Sequence, residues 1–107
     1  MASGKKISDI DLEIFRAMDC ADALPFLADY CKQDRDFTAL KNAHTSRWHV
    51  TAGGYDHEIL TTGPKWFDTR ANVGGGGAID LAMHLHRITF KQAVAKLQTV
   101  KPCVHQR

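Results

Sequence analysis

Four consecutive glycines, Gly74 to Gly77, separate the aromatic segment Lys65-Trp66-Phe67-Asp68 from the apolar stretch Ala78-Ile79-Asp80-Leu81-Ala82-Met83-His84-Leu85. A run without side chains marks a place where the backbone turns sharply, approaches another segment closely or visits positive φ. The run therefore predicts a last strand, a glycine loop and a helix in that order. Residues 78–85 are apolar on nearly every side, which predicts a core helix rather than a surface one. Thr89-Phe90-Lys91-Gln92 then has the form of a capping box, with Thr89 as N-cap and Gln92 reaching back from the third helical position. Phe90, Ala93, Val94 and Leu97 continue it as an i, i+3, i+4, i+7 stripe, and Lys96 and Lys101 sit toward its end, where cations are favoured. Lys65 to Leu97 reads as one unit, with the upstream chain as the layer it packs on.

Upstream, residues 1–6 read as a mildly basic tail. Ser8 opens a helix with Asp9, Asp11 and Glu13 early, and Ile7 and Leu12 have the spacing of a hydrophobic staple. Ile10, Ile14, Ala17 and Met18 form the stripe expected to be buried. A second helix is expected after Asp22, with Pro25 in its first turn and Leu24, Leu27, Ala28 and Cys31 on its inner face. Residues 32–36, KQDRD, read as an exposed connection. The period then shortens: Phe37–Leu40, Arg47–Thr51 and His57–Thr61 are β-forming segments, punctuated by Gly53-Gly54 and Gly63-Pro64. With Lys65–Asp68 they predict an antiparallel sheet of three or four strands.

At 107 residues the chain has the size of one domain, with a core over about residues 8–98. No apolar run approaches a membrane span, and the first residues lack the apolar segment of a signal peptide. Cys20, Cys31 and Cys103 are odd in number and without a Cys-x-x-Cys pair, which argues for free thiols in a reducing cytoplasm. Charge is divided unevenly: residues 1–60 hold seven Lys/Arg against ten Asp/Glu, and residues 61–107 seven against two. A basic second half suits an anionic partner, although an uneven scatter over a solvated surface produces the same numbers.

The glycine run lacks the Lys-Ser/Thr of a nucleotide-triphosphate loop and the spacing of a dinucleotide fingerprint. Among six histidines, His84 and His86 point about 200° apart on a helix and cannot share an ion. His44 could join His49 or His57 only if the strands bring them together, and with no cysteine nearby no metal site is expected. Asp80 and His84, four apart, are expected to pair locally, and the pattern for acid–base catalysis is absent. What remains is an interleaving of cationic and aromatic residues: Lys41, Arg47, Trp48, Lys65, Trp66, Phe67 and Arg70. Single-stranded nucleic acid is held by rings that stack on bases beside a cationic groove. Strand alternation parts Trp48 from Arg47 and Trp66 from Lys65 and Phe67, so at least one tryptophan is expected in the core.

The order of helix, short sheet, aromatic strand, glycine turn and Gly77-Ala78-Ile79-Asp80 followed by Thr89-Phe90 with Ala93-Val94 resembles the N-terminal zinc-binding domain of bacterial DNA primases. The resemblance covers about residues 20–98, is strongest over 65–97, and is nearest to relatives in plasmid and mobile-element proteins. Those domains hold zinc with a Cys and a His before the sheet and a Cys pair after the aromatic strand. Here Thr38–His44 and Asp68–Gly77 contain no cysteine, so the resemblance implies a zinc-ribbon-derived fold without its metal.

The expectation is an α+β domain: N-terminal helices, a small antiparallel sheet and two C-terminal helices, with no cofactor and no catalytic residues. Its expected role is single-stranded DNA binding in plasmid- or phage-type replication or transfer. Lys41, Arg47, Lys65 and Arg70 would meet phosphates, and Trp48 or Trp66 would stack on bases. A different reading is a protein-interaction module that docks to a replication or conjugation enzyme. A remote third is a small enzyme using Asp80 and His84.

Overall fold

The computed structural model describes residues 9–37 and 44–99. Two helices, α1 (Asp9–Ala17) and α2 (Cys20–Leu27), precede five strands, β1 (Tyr30–Gln33), β2 (Thr45–Ala52), β3 (Tyr55–Thr62), β4 (Lys65–Asp68) and β5 (Val73–Gly76). Helices α3 (Ala78–His86) and α4 (Phe90–Gln98) follow. The sheet is antiparallel throughout, in the order β1-β2-β3-β4-β5. The α+β class is as expected, but the sheet has five strands rather than three or four.

Both extra strands lie where the sequence suggested something else. Tyr30–Gln33 falls between a helical stripe and a charged connection, yet Cys31 pairs with Val50 and Gln33 with Trp48. Helix α2 begins at Cys20, earlier than expected, so Pro25 lies inside it rather than in the first turn, and the helix ends at Leu27. Leu24 and Leu27 point inward from the helix and Cys31 from the strand, so a change of period hid within an apparently continuous stripe. At the other edge the glycine run is itself a strand, with Gly74, Gly75 and Gly76 opposite Phe67, Trp66 and Lys65. The Phe37–Leu40 segment is not seen as a strand: Phe37 lies in the β1–β2 connection, and Thr38–Leu40 lie outside the described residues.

The helices gather on one side of the sheet. Phe15, Leu24, Leu27, Val50, Ile59, Trp66, Leu81, Leu85 and Leu97 form the core between them. Helix α1 turns a different face inward than its stripe implied. Phe15 is fully buried, whereas Ile10 is 71% and Ile14 41% exposed. With Phe15 pointing inward, Ile10 is rotated about 140° away around the helix. The Ser8 cap and the staple residue Ile7 lie outside the described residues.

Helix α3 is buried as expected through Ala78, Ile79, Leu81, Ala82 and Leu85. The α4 capping box is complete: Gln92 N–H donates to Thr89 Oγ1 at 3.2 Å, and Thr89 N–H to Gln92 Oε1 at 2.9 Å. Ala93, Val94 and Leu97 are buried, but Phe90 is exposed. The Gly63–Pro64 turn between β3 and β4 clamps the starts of α2 and α3. Cys20 N–H donates to the Gly63 carbonyl at 2.9 Å and Gly77 N–H to the Pro64 carbonyl at 2.7 Å. Gly77 itself has φ +89, and a Cβ there would lie 3.2 Å from the Arg16 Cα, so α1 crosses over bare backbone.

Candidate functional site

The side of the sheet away from the helices is laid out in rows by the strand register. Gly74, Phe67, Leu60 and Arg47 form one row, and Gly76, Lys65, Thr62 and Thr45 the next. Thr45, Leu60, Thr62, Lys65, Trp66 and Phe67 line a shallow depression at this end of the sheet. The Thr45 and Thr62 hydroxyls are hydrogen-bonded at 2.7 Å and form its polar wall. Phe67 is 38% exposed. A Cβ on Gly74 would lie 2.8 Å from the Phe67 ring, so that ring leans over glycine backbone. Gly76, opposite Lys65, differs from its neighbours. A Cβ there would meet nothing within 4 Å, and its φ is not positive. Neither packing nor backbone conformation accounts for a glycine at this position. Its missing side chain leaves room beside an exposed ammonium group, while its N–H is taken by the Asp80 carboxylate.

Beyond that depression the same face is more acidic. Arg47 donates from Nε to Asp34 Oδ2 at 3.0 Å, pairs with Glu58 at 3.8 Å and covers the Phe37 ring at 4.9 Å. Its guanidinium holds the Asp34 carboxyl below the usual carboxylate range, helped by the Asp36 backbone N–H. Thr51 Oγ1 donates to Asp56 at 2.8 Å.

The structure divides the sequence-predicted site residues among several places. Lys65 reaches the open face and is exposed, and Arg47 reaches it but is held by acids. Arg70 is exposed in the β4–β5 turn and borders a depression with Tyr30, His49, Thr51, Asp56 and His57. Trp48 points to the helical side, where its Nε1–H donates to Thr61 Oγ1 at 3.2 Å. Trp66 points the same way and is 4% exposed. Trp66 therefore offers no ring face to a base. That part of the expectation is corrected, because alternation places Phe67, not Trp66, on the open side. Lys41 lies outside the described residues.

A second constellation lies beneath the sheet. Asp68 is fully buried at the end of β4. Its Oδ1 accepts from the Arg70 and Ala71 backbone N–H groups at 3.0 and 3.1 Å and so shapes the β4–β5 turn. Its Oδ2 meets His57 Nδ1 from β3 at 2.8 Å and His84 Nε2 from α3 at 2.7 Å. Burial alone would raise the Asp68 carboxyl. The hydrogen bonds from His84, His57 and Ala71, with the charge of His57, outweigh it and hold the group below its ordinary range. The Trp66 ring lies 4.8 Å from the His84 ring. His57 Nε2 and Trp66 Nε1 are buried without a hydrogen-bond partner among the described residues.

The expected Asp80–His84 pair is replaced by two separate contacts, one local and one across the fold. Asp80 accepts from Gly76 N–H at 3.0 Å, while His84 goes to Asp68. Comparison of the chain with protein-family models, with curated proteins and with solved structures finds no match. Its chemistry is therefore read from its own residues.

Sequence reasoning considered His57 only beside His44 and passed over Asp68, because its candidate sets were built from histidines alone. A usable signal was present in the alternation: His57 stands in phase with Ile59 and Thr61, and Asp68 with Trp66, so both occupy inward positions. A polar residue in an apolar phase marks a buried partnership. Phe67 was recognised as part of the aromatic and basic interleaving, but only the two tryptophans were named as stacking candidates, and Phe67 is the ring that reaches the open face.

Proposed function

We propose that this chain is a non-catalytic module that binds single-stranded DNA on the open face of its sheet, in plasmid- or phage-type replication or transfer. The observation that carries this reading is the depression where exposed Phe67 leans over Gly74 and Lys65 stands opposite the bare backbone of Gly76. An exposed ring fixed on a sheet is a platform for an unpaired base, and an ammonium with no side chain opposite it has room to meet a phosphate. The resemblance to primase zinc-binding domains supplies the replication context.

The test is fluorescence anisotropy of labelled oligo(dT) with the whole chain across a salt series. Affinity should rise as salt falls, because phosphate contacts release counterions. Phe67→Ala should cost about 1–3 kcal/mol, the usual range for one stacked base. Absence of binding at low salt would end this reading. A protein-interaction module is the second reading, favoured by the exposure of Ile10, Ile14 and Phe26 on the helical layer. It predicts a partner retained after nuclease treatment and lost in Phe26→Ser.

A further inference from the structure

We infer that His57, Asp68 and His84 form a binding site for a divalent transition metal of the zinc class. The three donor atoms, His57 Nδ1, Asp68 Oδ2 and His84 Nε2, lie within 4.8 Å of one another. They come from β3, β4 and α3, so an ion held there would tie the helical layer to the middle of the sheet. Two imidazoles with one carboxylate suit zinc, cobalt or iron(II), whereas calcium and magnesium favour all-oxygen sets.

Two observations favour an ion over a purely hydrogen-bonded cluster. First, Asp68 is fully buried, and the ion pairs drawn to it among the described residues come from the two histidines alone. A buried carboxylate without a permanent cation nearby is costly, and a divalent ion offsets that cost. Second, Oδ1 is fixed by two backbone N–H groups, so Oδ2 is held toward the imidazoles, as outer hydrogen bonds orient metal-ligating carboxylates. Bond lengths near 2.0–2.2 Å place tetrahedral donors about 3.3 Å apart. Entry of the ion would therefore open each Asp–imidazole contact by about half an ångström. His84, the most exposed of the three, can make most of that adjustment and also gives the ion access from solvent.

The site is separate from the open face and does not depend on DNA binding. The whole chain, stripped with a chelator and confirmed folded by circular dichroism, is titrated with cobalt(II) and with zinc(II). Cobalt should produce saturable visible absorption at one equivalent, and zinc should displace it and raise the melting temperature. His84→Gln should weaken zinc binding at least about 100-fold, since changes merely around a ligand already reach 10–100-fold. His49→Gln, outside the cluster, should leave it unchanged. Lack of saturable binding by the folded wild-type chain would overturn the assignment. Should His84→Gln unfold, His57→Gln and the imidazole carbon shifts of the wild-type chain on zinc addition replace it. Unmoved His57 and His84 signals at saturating zinc would place the metal elsewhere and equally refute the site.

Discussion

Arg47 and Lys65 show how two cations on one sheet face can differ in use. Arg47 is bound by Asp34 and Glu58 and stacked on Phe37, whereas Lys65 stands exposed opposite glycine backbone. Lys65→Met should therefore weaken oligo(dT) binding and lower the salt slope by about 1, the loss of one phosphate contact. Arg47→Met should change the slope much less, and equal effects of the two would show that Arg47 leaves its carboxylates to meet the strand. The same pair makes a pH prediction. The hydrogen bond from Arg47 holds the Asp34 carboxyl below its ordinary range. A lowered native value means that its stabilising contribution is present above the unfolded value, near about 3.9, and is lost as pH falls through the native one. The Asp34 carboxyl carbon should titrate below the ordinary range by NMR and move back up in Arg47→Met. Cys20 is a contrasting case. Burial, with the charge of Asp19, pushes its thiol up to about 12, and Sγ–H donates to the Pro64 carbonyl at 3.1 Å. In a Cys31→Ser, Cys103→Ser background, alkylation near pH 8 should be slow until the chain is unfolded.

Among the elements, β5 was least legible and is the most informative. Glycine has poor strand propensity, so Val73–Gly76 gave no strand signal, and only the pairing with β4 makes it one. Its glycines answer to different demands. A Cβ on Gly75 would come within 1.8 Å of Asp80 Oδ2 and 2.8 Å of the Trp66 ring. The carboxylate can swing away, at the loss of its bond from Gly76 N–H, but the buried indole cannot. Gly75→Ala should therefore destabilise by about 1–3 kcal/mol, as overpacking does. Gly76→Ala meets open space and should stay within about 0.5 kcal/mol of wild type in denaturant titration, while weakening DNA binding. If Gly76→Ala bound DNA normally, the room beside Lys65 would have no part in recognition. Helices α3 and α4 were readable in advance because their signals are local: an apolar run, and a cap three residues from its partner. Helix α1 was not, because two isoleucines and a phenylalanine compete for the inward direction and only packing decides between them.

At the scale of the whole molecule, the helices cover one side of a five-stranded sheet and, among the described residues, leave the other open, and this sidedness separates the two functional readings. Position in sequence showed which residue types were available, but the facing of each was settled by register. That is why Lys65 stands on the open face, Trp66, one of two candidate stacking rings, lies buried on the helical side, and the His57–Asp68–His84 cluster was missed. A ligand on the sheet side and a partner on the helical side would leave different footprints. In amide NMR, oligo(dT) should shift Thr45, Leu60, Thr62, Lys65, Phe67, Gly74 and Gly76 together, since these neighbours share one depression or border it across the register. Residues of α1 and α2 should remain still, because the sheet and the core lie between them and that face. Ile10→Ser and Phe26→Ser should then leave affinity for DNA unchanged, both side chains being exposed on the helical layer. Shifts confined to Ile10, Ile14 and Phe26, with Phe67 unmoved, would instead assign recognition to the helices and leave the open sheet without a ligand.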